Sequence, residues 1–233
     1  TTATFVIDTI RPTINEIKVD DFSWGSYLNI AERDNDGSID ITSVNIEDGQ
    51  TMTITLDGNN YSNFVSNNST TITIPSADLS NLTNGNYTIT ASGSDSAGNG
   101  TVPVTSESFT VDYGLPTINA ITVSDFSWGR YLNSNEDNSD GTVTITTSGI
   151  EDGQTMNITL SGNNYSNVVS NNSTIITIPS ADLSNLVDET DYKILANIED
   201  LAGNPALPRE SKVFTVMKTH PNMTITSTTV NSD

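Results

Sequence analysis

The sequence predicts an all-β protein built from tandem copies of one domain. Residues 21–25 (Asp-Phe-Ser-Trp-Gly) return as residues 125–129, a shift of 104 positions, and residues 47–52 (Glu-Asp-Gly-Gln-Thr-Met) return at the same shift. Between Asp21 and Leu82, 46 of 62 positions are identical at this shift. A period near 100 residues is too long for a solenoid repeat and has the size of a whole domain.

The strand pattern can be followed through the first copy. A first strand is predicted at residues 13–19, directly after Pro12, and residues 51–56 place Met52, Ile54 and Leu56 on one face. The other predicted strands are rich in β-branched or aromatic residues and are bounded by turn signals: 38–46, 61–65, 71–74, 87–91 and 109–112. Residues 75–79 are predicted as one helical turn. About seven short strands in about 100 residues are typical of an Ig-like sandwich.

The fold class is therefore tandem Ig-like β-sandwich domains arranged end to end. We expect a last strand or linker at 1–8, full repeats at 9–112 and 113–217, and the start of a further repeat at 218–233. Residues 5–8 match 109–112, so we expect the parent protein to be longer. Tyr87, and Tyr192 after one inserted residue, resemble the tyrosine corner of such domains and are interpreted as structural.

Composition narrows the chemistry. The chain has 29 acidic and 8 basic residues, a net charge of −21, no Cys, and one His at position 220. This charge excludes nucleic acid as a partner and disfavours an anionic membrane surface. It fits either solubility, including adaptation to salt, or cation binding. Without Cys or a His inside the repeats, zinc, copper and nucleophile–His chemistry are excluded, whereas plentiful Asp, Glu and Asn oxygens suit Ca²⁺.

The acidic residues concentrate in particular loops. With strands lettered A to G, the chain enters each domain beside the BC loop (at 47–48 and 151–152) and the FG loop (at 95–99 and 200–204), and leaves beside the AB loop (at 20–37 and 125–141). The entrance carboxylates are Asp8, Glu47, Asp48 and Asp95 in one copy, and Asp112, Glu151, Asp152 and Asp200 in the next. The AB loops carry Asp21 and Glu32, then Asp125 and Glu136. We expect Ca²⁺ to neutralise these sets where one repeat meets the next.

Three motifs resemble a known family. Ser-Asp-x-Ala-Gly-Asn at 94–99, Tyr-Leu-Asn-x-x-Glu at 27–32 and Ala-Asp-Leu-Ser-Asn-Leu at 77–82 are similar to bacterial Ig-like repeats that extend giant repeats-in-toxin adhesins and biofilm-associated proteins. The resemblance implies secretion to the bacterial cell surface, Ca²⁺ between repeats and a passive stalk. It implies these ligands: Asp8, Asp95, Asn99, Asp112, Asp200, Asn204, Glu32 and Glu136. The next repeat begins with Met217 instead of Asp, which predicts a junction without its metal or a more flexible one.

The sequence is compatible with three functions, which it favours to different degrees. The first is a Ca²⁺-rigidified extender that projects a ligand-binding tip, with neighbouring repeats of the same chain as partners. The alternative is an adhesive module that binds glycan or protein through its Phe-Ser-Trp-Gly loops, although Trp24 and Trp128 could equally pin the AB loop. A glycoside hydrolase with paired carboxylates is disfavoured because each pair is duplicated or lies at a domain end. We expect a monomer that is not an enzyme and does not insert into membranes, and leave open whether other domains bind glycan or host surfaces.

Overall fold

The computed structural model describes residues 7–219. Contacts divide the chain into two compact units: the first ends at Gly114 and also takes in Ala202–Asn204, and the second begins at Leu115. The predicted all-β class is confirmed, since each unit as described consists of short strands with one short helix and one 3-10 turn. Among the described residues, no helix is long and apolar enough to cross a membrane. The predictions for 1–6 and 220–233, including His220, fall outside this range.

The first unit contains ten strands in three sheets. They are β1 Thr13–Ile14, β2 Tyr27–Leu28, β3 Gly37–Val44, β4 Thr51–Leu56, β5 Asn59–Phe64, β6 Ser69–Ile74, β7 Gly85–Tyr87, β8 Thr90–Gly93, β9 Val104–Thr105 and β10 Phe109–Val111. The sheets are ordered β1-β3-β6, β2-β10-β7 and β5-β4-β8-β9. Helix α1 is Ser76–Leu79, and the 3-10 turn is Val19–Asp21.

The second unit repeats this arrangement. Its strands are β11 Thr117–Ile118, β12 Tyr131–Asn133, β13 Gly141–Ser148, β14 Thr155–Leu160, β15 Asn163–Val168, β16 Ser173–Ile178, β17 Asp191–Tyr192, β18 Leu195–Asn197, β19 Arg209–Glu210 and β20 Phe214–Met217. The sheets are ordered β11-β13-β16, β12-β20-β17 and β15-β14-β18-β19. Helix α2 is Ser180–Ser184, and the 3-10 turn is Val123–Asp125.

Alternating apolar residues build the core of each unit. In the first unit β3 pairs antiparallel with β6, so Ile39 lies opposite Ile72, and both side chains are fully buried. Strands β4 and β5 form a hairpin closed by Asp57 and Gly58, whose φ angles of 47° and 81° are both left-handed. Two consecutive residues in this region define the tight turn that matches the twist of a hairpin. The outward positions of these strands are mostly polar, and in β4 and β6 most of them are Thr.

Two predicted strands were wrong in extent. Of residues 13–19 only Thr13–Ile14 is a strand, because the chain then enters a 3-10 turn in which Asp21 accepts a hydrogen bond from the Lys18 N–H at 2.7 Å. The predicted strand 87–91 is two strands in different sheets, since β7 pairs with β10 and β8 pairs with β4. At the break, the buried Ile89 N–H donates to the Ser106 hydroxyl at 2.9 Å instead of to a sheet.

The tyrosine corner is confirmed in both units. The Tyr87 hydroxyl accepts a hydrogen bond from the Thr83 N–H at 3.2 Å. The Tyr192 hydroxyl accepts one from the Val187 N–H at 3.0 Å, in spite of the inserted residue. Both rings also stack on a buried phenylalanine, Phe109 or Phe214. Each tyrosine therefore fixes the chain where it enters the last part of the domain.

Candidate functional site

The FG loop of the first unit holds a buried carboxylate. Asp95 is 3% exposed, and its two oxygens accept hydrogen bonds from the backbone and side-chain nitrogens of Asn99 at 2.7 and 2.8 Å. Gly98 allows this tight loop because its φ angle is 90°. Burial acts to raise the pKa of Asp95, but hydrogen bonds from Asn99, Ala97 and Gly98 together lower it. The carboxylate is therefore negative at neutral pH.

Two further predicted residues join this loop. The Asn99 side chain donates to the backbone carbonyl of Asp8 at 3.2 Å, which ties the entering chain to the loop. Glu47 of the BC loop accepts hydrogen bonds from the Ser96 N–H and hydroxyl, both at 2.9 Å. The backbone N–H groups of Ser96 and Glu47 and the Ser96 hydroxyl lower the pKa of Glu47, while burial and repulsion from Asp95 act to raise it. Like charges are thus held close together.

The FG loop of the second repeat belongs partly to each of the two compact units. Glu151 accepts a hydrogen bond from the Leu201 N–H at 2.9 Å, as Glu47 does from Ser96. Asp200 is buried, like Asp95. Ala202–Asn204 belong to the first unit, and there the buried Asn204 side chain donates to the Asp112 carbonyl at 3.0 Å and accepts from the Ile30 N–H at 2.8 Å. The Asn204 side chain thus holds the backbone at Asp112 and Ile30.

The predicted ligands of the AB loops act as local caps. Glu32 accepts a hydrogen bond from the Asn29 N–H at 3.0 Å, and Glu136 accepts one from the Asn133 N–H at 3.1 Å. Asp125 caps its 3-10 turn through the Thr122 N–H at 2.6 Å, in the same way as Asp21 does in the first repeat. These carboxylates close turns within their own loop.

The second acid of each BC loop likewise caps a turn. Asp48 accepts a hydrogen bond from the Asn67 N–H at 2.7 Å, and Asp152 accepts one from the Asn171 N–H at the same distance. Both asparagines have left-handed φ angles, 53° and 51°. Asp48 and Asp152 therefore stabilise a neighbouring hairpin turn.

The oxygen chemistry of the first FG loop fits Ca²⁺, but its carboxylates are few. Within residues 7–219, no group of three or more His, Asp or Glu side chains is arranged to hold a metal ion. Ca²⁺ also takes backbone carbonyl and amide oxygens, with six to eight ligands in flexible geometry. Asp95, Glu47, Asp8 and Asn99 supply oxygens of all three kinds at one end of the unit.

The aromatic loops do not form an exposed platform, which corrects the alternative of ligand stacking on Phe-Ser-Trp-Gly. Phe22 and Trp24 are 5% and 6% exposed, stack on one another, and meet the buried Phe109 edge-on. The indole lies on Gly37, where an added Cβ would approach Trp24 Cζ3 to 2.4 Å. Phe126, Trp128 and Gly141 repeat this packing. The rings pin the AB loop and offer no face to a sugar.

Sequence reasoning missed the residues that hold Asp112. The Asn84 side chain donates to Asp112 Oδ1 at 2.8 Å, and the Gly114 N–H donates to the same oxygen at 2.8 Å. Asn84 Oδ1 in turn accepts the Tyr113 N–H at 3.0 Å. In the sequence, Asn84 lies in the stretch before Tyr87 that resembles a tyrosine corner, and only its contacts with residues 112 and 113 reveal this second role.

Comparison with known proteins finds similarity to solved structures of bacterial adhesins. No family model and no curated protein matches it. A Ca²⁺-stabilized adhesin that helps an Antarctic bacterium bind ice is 26% identical at a TM-score of 0.50, over 91% of this chain and 50% of that chain. A 1.5-MDa bacterial ice-binding adhesin is 25% identical at 0.47, over 90% and 65%. A bacterial immunoglobulin-like domain from the M. primoryensis ice-binding adhesin is 26% identical at 0.31, over 44% and 96%.

The chain thus spans half the length of the first structure and 65% of the second. The first of these structures is a bacterial adhesin, so the resemblance to adhesin repeats that the three motifs indicate is confirmed.

Proposed function

We propose that this chain is a Ca²⁺-rigidified extender segment of a large secreted bacterial adhesin, which holds a ligand-binding tip away from the cell surface. The observation that carries the proposal is the buried, ionised Asp95, which the fold brings together with Glu47, Asn99 and the entering chain at Asp8. A net charge of −21 makes neutralisation by a cation favourable throughout the chain. The likeness to a Ca²⁺-stabilized adhesin supports the choice of ion.

Two equivalent sets of residues would hold the ion. In the first repeat they are Asp8, Glu47, Asp95 and Asn99, and in the second they are Asp112, Glu151, Asp200 and Asn204. Calcium would supply positive charge where these carboxylates repel one another, and so restrain the linker on which Asp8 or Asp112 lies. Asn99, Ser96 and the backbone around Gly98 orient the carboxylates before the ion arrives. Glu32, Glu136, Asp21, Asp125, Asp48 and Asp152 remain predicted ligands that also cap turns.

The proposed role requires no catalysis. Repeats that are joined in series add length, and a copied active site adds nothing to a stalk. The extender would act at the bacterial surface as a monomer, with its neighbouring repeats as its permanent partners. Binding to ice, glycan or host cells would belong to other domains of the parent protein.

Calorimetric titration of the metal-free chain with Ca²⁺ tests the site directly. We expect saturable Ca²⁺ binding by the wild-type chain, and its loss when Asp95→Asn and Asp200→Asn are combined. The exposed hairpin residue Asp57 provides a control, because Asp57→Asn removes a charge at the end of β4 that lies far from the FG loop and should leave binding unchanged. Equal binding by the double variant and the control would show that the FG loops are not the site.

A further inference from the structure

The C-terminal end of helix α2 forms a cage of oxygen atoms around one ammonium group. Lys218 Nζ donates to the carbonyl oxygens of Ser184 at 2.7 Å, Leu186 at 2.8 Å and Leu183 at 3.5 Å. Asp137 Oδ2 lies 3.4 Å from the same nitrogen. The Lys218 side chain is 19% exposed and that of Asp137 is 9% exposed, so the pair is largely removed from water.

The cage has the chemistry of a cation site. The last carbonyl groups of a helix have no partners within the helix and carry partial negative charge. Here the carbonyl oxygens of Ser184, Leu186 and Leu183, the last of which also accepts the Leu186 N–H at 3.2 Å, converge with a carboxylate that is itself nearly buried. An ammonium group carries three N–H donors and a positive charge, so it can satisfy several of these acceptors at once. A buried Asp137 without that partner would be an uncompensated charge.

The first repeat fills the equivalent place differently. Tyr113 stands where Lys218 does, and Arg33 stands where Asp137 does. The Tyr113 hydroxyl donates one hydrogen bond to the Leu79 carbonyl at 2.7 Å, and the Arg33 guanidinium lies over the Tyr113 ring at 5.1 Å from its centre. Burial raises the pKa of Tyr113 to about 12, so the hydroxyl remains a donor at neutral pH. Both members of the pair differ together between the repeats.

The neighbouring position changes as well. The first repeat ends in Asp112, whose carboxylate Asn84 and Gly114 hold in place. The second repeat ends in Met217, which is 48% exposed and has no oxygen to offer. Asp188 stands at the position of Asn84 and accepts the Lys218 N–H at 2.7 Å. The first repeat therefore ends in a carboxylate, whereas the second repeat ends in a lysine whose side chain is largely buried.

We propose that the cage of Leu183, Ser184, Leu186 and Asp137 is a binding site for a primary ammonium group, and that Lys218 is its built-in ligand. The lysine holds the end of the second repeat closed without metal. The proposal does not depend on Ca²⁺ binding at the FG loops, and its test is carried out in chelator.

Chemical rescue tests the site. Truncation by Lys218→Ala removes four side-chain atoms beyond Cβ, and propylammonium has the atoms to replace them. With Trp24→Phe in the background, Trp128 is the remaining tryptophan and reports on the second repeat alone. We expect Lys218→Ala to lower the melting midpoint by more than about 4 °C, a shift measurable in a domain of this size. Propylammonium should restore part of that loss in the variant and leave the wild-type chain nearly unchanged.

Tetramethylammonium at equal ionic strength is the control, since it has the same charge but no N–H donor. Equal effects of the two ions on the variant, or a wild-type midpoint for Lys218→Ala, would overturn the proposal. If Lys218→Ala is unfolded, refolding by propylammonium alone is the supporting result, and its absence counts against the site. Asp137→Asn, Lys218→Met and their combination give a second measurement, in which additive losses would contradict a shared site.

Transfer to the first repeat sharpens the result. Arg33→Asp alone should destabilise that repeat, read from Trp24 in a Trp128→Phe background, because it places a carboxylate beside carbonyl groups. Adding Tyr113→Lys should recover most of the midpoint. If Tyr113→Lys gives no recovery, the oxygen atoms of the first repeat do not bind the introduced ammonium group. The stability of the second repeat would then not depend on recognition of an ammonium group by such oxygens.

Discussion

The two repeats have nearly the same interior and different ends. Phe109 and Phe214 occupy the same place among the same aromatic neighbours, and the hairpins β4–β5 and β14–β15 have the same register. At the last residues the repeats diverge, with Asp112 and Tyr113 in one and Met217 and Lys218 in the other. The difference teaches that the domain is fixed by its core, while the ends can be specialised for how each repeat meets the next segment of chain.

The largest expected effect tests the sameness of the cores. Phe109→Ala and Phe214→Ala each remove a fully buried ring, and we expect each to cost its own repeat about 3–5 kcal/mol of unfolding free energy. Denaturant melts of chains with a single tryptophan measure each repeat separately. Costs that differ widely between the two sites would break the comparison, since they would mean that the interiors are not equivalent.

The next effect tests the FG loops. Asp95→Ala and Asp200→Ala each remove a buried carboxylate, and in the first unit the Asn99 N–H then loses its acceptor while the Asn99 side chain keeps its bond to the Asp8 carbonyl. We expect a lower melting midpoint for each repeat in chelator, and a smaller rise in midpoint when Ca²⁺ is added. Thermal melts in chelator and in Ca²⁺ measure both quantities. A full Ca²⁺ response in the variants would remove these loops from the proposed site.

The two repeats should respond differently to low pH, because their C-terminal ends carry different residues. The Lys218 N–H is the main cause that lowers the pKa of Asp188 from its ordinary value of 3.8, with help from Glu189 and Thr219 and against burial. A carboxyl whose folded-state pKa is lowered stabilises the fold above its unfolded pKa, and this stabilisation disappears as pH falls through the folded value. We expect Asp188→Asn to lower the midpoint at neutral pH and to make the second repeat less sensitive to pH below about 4. Parallel pH profiles for variant and wild type would contradict this.

The smallest expected effect is at Tyr113, the uncharged residue of the first repeat that corresponds to Lys218. Tyr113→Phe removes one hydrogen bond to the Leu79 carbonyl but keeps the ring on which Arg33 lies, so we expect a loss of about 0.5–1.5 kcal/mol in the first repeat. Lys218→Met should destabilise the second repeat more, because it also leaves the nearly buried Asp137 carboxylate without its cationic partner. Urea melts of both variants make the comparison. A larger loss for Tyr113→Phe would reverse the ranking of the two ends.

The sequence predicted most of the fold because its signals are local. Alternation at residues 51–56 matches β4 residue for residue, and Asp57-Gly58, a dipeptide typical of hairpin turns, forms a tight turn directly after it. The split of the predicted strand at 87–91 could not be foreseen, since it depends on a hydrogen bond from Ile89 to the distant Ser106. Burial of Trp24 likewise depends on the space above Gly37.

The candidate site was predicted in part for the same reason. Motif and loop position identified Asp95, Asn99, Glu47 and Asp8, which the fold does bring together in the first unit. Sequence could not separate these from acids that cap turns, such as Asp48, because the Asn67 N–H it accepts lies on another hairpin. The Lys218–Asp137 pair was missed because 80 residues of unrelated pattern lie between its members.

Small-angle scattering in Ca²⁺ and in chelator tests the central claim most directly. If Ca²⁺ restrains the linker at Asp112, the chain should show a longer maximum dimension and a narrower ensemble in Ca²⁺ than in chelator. Asp112→Ala combined with Asp200→Ala should abolish this difference while each repeat keeps its own tryptophan-monitored transition. A wild-type chain with the same dimensions and the same ensemble width in both conditions would contradict the account, because Ca²⁺ would then not be the stiffening element.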